Sequence, residues 1–412
     1  MEFRKHVLAN GLEIVAECNA QAYSTALAFF VKTGARDETA DVSGVSHFLE
    51  HMVFKGTATR SAADVNRELD EIGSHSNAYT SEEETVYYAT VLPEYQTHAL
   101  ELLADILRPA LRGSDFDMEK QVILEEIFKY EDQPPFGAHE KCMAAYFGSH
   151  SLGNSILGTV ESVTALTPDA MLKYFQRRYS AANIVLVAAG NVDFDDLIRT
   201  ADRLCGHWPK QDAHRTPGRA TPQSRFQVIT KEAATQQYAV QISSGPAADH
   251  PDRYAHRLLA TIVGDDTGSR LFWALVDPGL AEFAAMSSYE FDGCGIMMTY
   301  LCCAPDMIAE NLQCVRDLQR EAERQGLRDE ELELAKSKVC AHVVLRSERP
   351  SNRLFAVGNN WIHRQTYQTV KETVDAYQAV TMDDVRRTLE QYPLTAGTTV
   401  SIGPLREVAC PV

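Results

Sequence analysis

The chain has 412 residues, 45% hydrophobic and 23% charged, the balance of an ordinary globular protein with two or three full-sized domains. Its formal net charge of −18, from 57 acidic and 39 basic residues, argues against general nucleic-acid binding, which needs clustered Lys and Arg on phosphates. Nine cysteines, an odd count with no CxxC pair, point to reduced thiols packed as small apolar residues in a cytoplasmic protein.

The first residues, MEFRKH, lead into no apolar signal core, so export is not expected. No run approaches the roughly 18 apolar residues of a spanning helix, so no membrane partner is expected either. Strands are predicted at 12–17 and 26–32, the second ending at the turn TGAR. A helix follows over 45–54. Ser61 has the character of an N-cap for a helix over 62–72 that stops at Gly73. Strands at 76–80 and 85–92 flank the acidic turn Ser81-Glu82-Glu83-Glu84, and helical periodicity returns over 95–107 and 116–130. A further helix over 167–179 precedes the apolar strand 183–189. The stretch 206–224 holds three prolines among polar residues and reads as a linker, which predicts domains at 1–205 and 225–412. Beyond it the order partly repeats, with strands at 237–242 and 299–303 and helices over 256–263, 269–275, 310–325 and 329–346. That order favours α+β layers, built as a duplicated α/β unit, over a parallel doubly wound sheet.

The chemistry is concentrated in His47-Phe48-Leu49-Glu50-His51. On a helix, residues four apart lie one turn above each other, so both imidazoles reach one metal ion from one face. Glu50 projects beside them, suited to a water on that metal; this is the H-x-x-E-H order, the inverse of H-E-x-x-H. Two neutral imidazoles and a carboxylate suit zinc and leave a fourth position for water. Glu119 and Glu126 are seven residues apart, two turns of one helical face with Ile123 between. One of the pair can ligate the metal while the other orients a ligand.

The segment 44–57, GVSHFLEHMVFKGT, resembles the active-site helix of the M16 peptidases, the family of the pitrilysin, insulin-degrading and mitochondrial processing peptidases. The resemblance continues through SNAYT at 76–80 with Tyr87-Tyr88, through 119–126, through His150-Ser151-Leu152-Gly153 to Gly158-Thr159, and to AAGNV at 188–192. It covers most of the first 195 residues. It implies an α+β fold of two duplicated α/β-layer domains, of the LuxS/mitochondrial-processing-peptidase-like metallohydrolase type. It also implies one zinc ion per chain, in the first domain, and no metal site in the second. Carried over by position, it makes His47 and His51 ligands, Glu50 the base, Glu126 the third ligand and Glu119 its supporting carboxylate. The 75 residues from His51 to Glu126 fit the family's long spacing. Asn77, Ala78, Tyr79 and Thr80 fall where the family adds its peptide substrate as an extra strand, an arrangement that takes affinity from the backbone and leaves sequence preference loose.

The second half departs from the pattern. GSRLF at 268–272 resembles the family's S-S-R-L-F helix, after which active members carry an Arg and, seven residues on, a Tyr facing the substrate carbonyl. Val276 stands at the Arg position and Glu282 at the Tyr position once one deletion is allowed, and neither donates a comparable hydrogen bond to an oxyanion. Tyr289 is read as strand packing rather than a replacement. A chain of this length resembles one half of a two-part chamber. The resemblance therefore implies a zinc endopeptidase or oligopeptidase of short or unfolded peptides. It would work as a homodimer or, slightly favoured, as a heterodimer with an M16-like chain that supplies the Arg and Tyr. The alternative is a non-catalytic peptide-binding or scaffold subunit.

Overall fold

A computed structural model describes residues 1–215, 218 and 220–412. Its strands are β1 (Glu2–Val7), β2 (Glu13–Cys18), β3 (Thr25–Val31), β4 (His75–Thr80), β5 (Thr85–Val91), β6 (Ile184–Gly190), β7 (Phe226–Thr230), β8 (Gln237–Gly245), β9 (Phe283–Phe291), β10 (Cys294–Cys303) and β11 (Gly397–Gly403). The first α-helices are α1 (Val45–Val53), α2 (Ala62–Glu71), α3 (Gln96–Ile106), α4 (Gly113–Asp132), α5 (Ala138–Phe147), α6 (Val160–Ala165), α7 (Pro168–Arg178) and α8 (Phe194–Cys205). They are followed by α9 (Arg253–Gly264), α10 (Ile308–Gln325), α11 (Asp329–Ser347), α12 (Pro350–Arg364), α13 (Val370–Gln378) and α14 (Met382–Gln391). Two compact units result. Unit one comprises Met1–Phe128, Asn154–Thr216 and Arg346–Gln368, and unit two comprises Lys129–Gly153, Pro217–Leu345 and Thr369–Val412.

Unit one is built on a six-stranded sheet in the order β1-β2-β6-β3-β5-β4. It is parallel between β2 and β6 and antiparallel elsewhere. β3 and β6 are buried along their whole length, and their sequences, TALAFFV and IVLVAAG, are accordingly continuous apolar runs. Alternation still sorts the side chains between two faces. Leu27, Phe29, Val31, Leu186 and Ala188 join one core with Phe48, Leu100 and Leu197. Ala26, Ala28, Phe30, Val185 and Val187 join another with Leu354, Val357 and Trp361 of α12. α12 lies so close that a Cβ on Gly358 would stand 2.2 Å from Phe30 Cζ. Polar contacts fix it further: Arg353 Nε donates to Glu17 Oε1 at 2.8 Å, and Trp361 Nε1 donates to Glu13 Oε2 at 3.0 Å.

Unit two repeats the plan with a five-stranded sheet in the order β7-β11-β8-β10-β9. In each unit the last strand in sequence (β6 or β11) inserts between the first pair and runs parallel to the earlier member (β2 or β7). Apart from β1, the strands correspond one for one, and this is the duplication that the order of elements suggested. α5 covers one face: Cys142, Met143 and Tyr146 pack with Val240, Ile242, Met298 and Val400. Leu258, Leu259 and Val263 of α9 share the other face's core with Met286, Met297 and Leu301.

The compact units differ from the contiguous division at 205 and 225. α12 comes from the second half of the sequence and packs in unit one, while α5 comes from the first half and packs in unit two. Each sheet has two apolar faces, and the exchanged helix covers one of them. The expected linker is also partly core, because Trp208 is buried with its ring 5.7 Å from that of Phe29; residues 216, 217 and 219 of that stretch lie outside the described residues. The helix expected at 269–275 is present over 270–276, α-helical at Arg270 and Leu271 and π-helical over Phe272–Val276. The Asp277 amide reaches back five residues to the Phe272 carbonyl at 2.9 Å, and Pro278-Gly279 ends the turn. All nine cysteines are free, and no helix among the described residues is long and apolar enough to cross a membrane.

Gly358 yields a prediction with an unusual sign. Ala usually stabilises a helix over Gly by about 1 kcal/mol, but Gly358→Ala drives a methyl into the buried Phe30 ring and should cost about 1–3 kcal/mol through overpacking. Denaturant midpoints of the two proteins check it; a midpoint that rises would contradict the close approach of α12.

Candidate metal centre

The entry to α1 is built before its functional residues are reached. Gly44, at the N-cap, has φ +90° and Gly158 has φ +77°. A Cβ on Gly44 would lie 2.6 Å from the Leu157 carbonyl oxygen, and one on Gly158 2.7 Å from the Ser43 carbonyl oxygen. Only glycine permits both the left-handed backbone and this mutual approach, so two motifs far apart in sequence are one contact in space. Beneath them, Glu38 is buried and takes the Gly44 N–H on Oε2 and the Ser46 N–H on Oε1, each at 2.7 Å. A carboxylate placed there completes the open N–H groups of the first turn and complements the helix dipole. Burial pushes the Glu38 acid up to about 8, and the two N–H donors pull against it.

Val45, Phe48, Leu49, Met52 and Val53 form the buried side of α1. The Phe48 ring stacks on Phe116 of α4, with centroids 4.7 Å apart and planes 17° from parallel. This contact joins the two helices that carry the predicted ligands. His47 Nε2 stands 3.8 Å and His51 Nε2 3.6 Å from Glu126 Oε2. Tetrahedral zinc with ligands at about 2.0–2.2 Å needs donor separations of about 3.3–3.6 Å, so the three side chains fit the ion with small adjustments. The two nitrogens and one oxygen are donors of the type zinc takes.

The surroundings favour the ligating forms. Burial, with the neighbouring His51 adding to it, pushes the His47 imidazole down to about 3 and keeps it neutral. His47 Nδ1 has no hydrogen-bond partner, and packing alone orients that ring. His51 is oriented differently, with Nδ1 2.8 Å from Glu119 Oε1. Donation from Nδ1 leaves the Nε2 lone pair facing Glu126. Glu119 and Glu126, equivalent by spacing, are thereby distinguished: Glu119 meets the far nitrogen of a ligand and Glu126 the near one.

Glu50 sits on the same helix with its acid raised by burial, an effect opposed by the hydrogen bond from Thr80. Thr80 Oγ1 donates to Glu50 Oε2 at 2.6 Å. The family resemblance suggested Thr80 as part of a peptide-binding strand and gave no sign of this contact. β4 is the last strand of its sheet, paired with β5 on one side only. Along it the Asn77 side chain is exposed, Ala78 packs against the core, and the Tyr79 hydroxyl donates to Glu84 Oε1 at 2.7 Å. In unit two, Val276 is half-buried against the core, Glu282 is exposed, and the Tyr289 ring packs edge-on to His139 at 6.0 Å.

Two residues were not singled out from sequence. Glu38 carries no local signal, because its role depends on a loop folding back. Lys55 does carry one, since it lies four residues beyond His51, and its ammonium stands 2.5 Å from Glu119 Oε2.

The sequence matches the family described as Insulinase (Peptidase family M16) over residues 13–160, and that described as Peptidase M16 inactive domain over 165–339. It is 30% identical to an uncharacterised zinc protease of Mycobacterium tuberculosis, over 93% of this chain and 89% of the relative. It is equally 30% identical to the uncharacterised zinc protease YmxG of Bacillus subtilis, over 93% of each chain. In fold it is similar to a protease from Helicobacter pylori, with a TM-score of 0.91 at 21% identity, covering 98% of this chain and 99% of the other.

The cap under α1 is open to test. Glu38→Gln turns an amide NH2 toward one of the two N–H donors and should cost about 1–3 kcal/mol of stability. It should also weaken metal binding as the first turn of α1 loosens. Denaturant midpoints and a chelator competition measure both, and an unchanged midpoint would contradict the capping role.

Proposed function

The chain belongs to peptidase family M16, and from that premise we propose that it is a zinc endopeptidase or oligopeptidase of short or unfolded peptides. The observation that carries the reading is the meeting of His47, His51 and Glu126 beside a Glu50 carboxylate that Thr80 holds in place. Zinc, when bound, supplies a Lewis acid that polarises a peptide carbonyl and makes a water reactive near neutral pH.

The chain's own residues do the rest. An extended peptide adds to the open edge of β4, where backbone hydrogen bonds fix it without demanding a sequence. Glu50 takes a proton from the attacking water and returns it to the leaving amine as the C–N bond breaks. Thr80 aims that carboxylate, and because it ends β4, the strand that receives the substrate also holds the base. Glu119 keeps His51 in the tautomer that leaves Nε2 available.

Unit two supplies no oxyanion donor at the two positions where the family resemblance places one, occupied here by Val276 and Glu282. This supports a partner-dependent enzyme in which a second M16-like chain contributes the Arg and Tyr. Such donors are worth about 10²–10³ in kcat.

The test is cleavage of an unstructured peptide pool by the zinc-loaded chain. Glu50→Gln should retain the metal and lower kcat by about 10²–10⁴-fold. Thr80→Val, which loses one hydrogen bond of about 1 kcal/mol, should lower kcat roughly fivefold. Chelation should abolish cleavage and added zinc restore it. A Gln variant as fast as the parent would overturn the proposed role of Glu50. A lone chain whose rate does not rise on mixing with an Arg- and Tyr-bearing M16 chain would overturn the partner dependence.

A further inference from the structure

We infer that Lys55 is a positioning residue for the metal centre, acting through Glu119 on His51. The inference rests on the metal reading of His47, His51 and Glu126. His47, His51 and Lys55 recur every four residues, and the row runs just past the end of α1 at Val53. The Lys55 ammonium stands 2.5 Å from Glu119 Oε2, while Glu119 Oε1 meets His51 Nδ1 at 2.8 Å. The lysine contact is a charge contact rather than an aligned hydrogen bond. The Glu119 side chain is 4% exposed and that of Lys55 34%. A buried anion on α4 is thus held between the imidazole it orients and a cation at the rim.

A carboxylate this far from water needs a partner for each oxygen. With Oε2 committed to Lys55, the plane of the group is set and Oε1 is aimed at His51 Nδ1. That in turn keeps the Nε2 lone pair directed at Glu126 and at the ion they share. Without Lys55, Glu119 retains the histidine contact alone, and its rotamer is no longer fixed from both ends.

The sign of the effect separates this role from plain electrostatics. A cation near a divalent metal repels it, so removing Lys55 by charge alone would tighten metal binding. A positioning role predicts the opposite.

The experiment compares the parent with Lys55→Met, Lys55→Arg, Glu119→Gln, the Met/Gln double variant and His51→Ala as a control. The readouts are the zinc Kd by chelator competition, the visible absorption of the cobalt(II)-loaded protein, and the denaturation temperature of the metal-free chain. Lys55→Met should raise the zinc Kd about tenfold, the lower end of what outer partners of metal ligands contribute. It should also shift the cobalt band and, because it leaves the buried Glu119 anion without its cation, lower the metal-free denaturation temperature. Lys55→Arg should restore parental affinity, and Lys55→Met should add nothing in the Glu119→Gln background. Affinity in Lys55→Met equal to or tighter than the parent's would overturn the proposal, as would undiminished weakening in the Glu119→Gln background. A parent without stoichiometric zinc, or a His51→Ala variant that binds as tightly as the parent, would sink the metal reading and this proposal with it.

Discussion

The ligand atoms of the candidate centre come from two helices, α1 and α4, and meet at 3.6 and 3.8 Å. A metal ion tolerates little error in such a meeting. Neither helix fixes the other through the chain, because strands and helices intervene. Much of what surrounds them in unit one serves to hold two rods in register. Phe48 stacked on Phe116 joins them along their buried sides. Glu38 stiffens the first turn of α1 from below, and the paired glycines at 44 and 158 set where that turn begins. Glu119 and Lys55 tie the far end of α1 back to α4. The polar groups around the centre are thus largely structural in form and chemical in consequence.

The duplicated sheets show how one plan carries different duties. With β1 set aside, both place the last strand between the first two, and both end on an edge strand, β4 in unit one and β9 in unit two. The helix α1 that follows β3 in unit one carries His47, Glu50 and His51. The helix α9 that follows β8 in unit two carries one histidine, His256, which is fully buried. Burial, with Arg257 adding to it, pushes that imidazole down to about 3, and its Nδ1 lies 2.7 Å from Ser288 Oγ. A polar residue at a comparable place in the plan is here enclosed in the core and held through Nδ1.

What the sequence displayed was whatever is local. The H-x-x-E-H order reports a helical face, and the apolar runs 26–32 and 183–189 report strands covered on both sides. Ser61 reported its helix start, where its side chain accepts from the Asp64 amide and Asp64 answers on the Ser61 amide. Glu119 and Glu126 were legible as a pair, and only their family resemblance assigned the roles, because seven residues on one helix face make them equivalent by spacing. The edge strand β1, EFRKHV, was not legible: it is largely exposed and carries charge where an interior strand would carry apolar residues. The exchange of α5 and α12 was not legible either, since an amphipathic helix records that it has an apolar face and not which sheet covers it. The contact of Thr80 with Glu50 belongs to the same class, a side-chain meeting set by tertiary packing.

The central claim is that His47, His51 and Glu126 hold one zinc ion. X-ray absorption at the zinc edge of the metal-loaded chain tests it most directly, because nitrogen, oxygen and sulfur ligands scatter distinguishably and nine free thiols compete for the metal. The account predicts one zinc per chain, a first shell of nitrogen and oxygen at about 2.0–2.2 Å with two imidazole signatures, and loss of one imidazole in His51→Ala. A shell containing sulfur at about 2.3 Å, or a spectrum unchanged in His51→Ala, would contradict it.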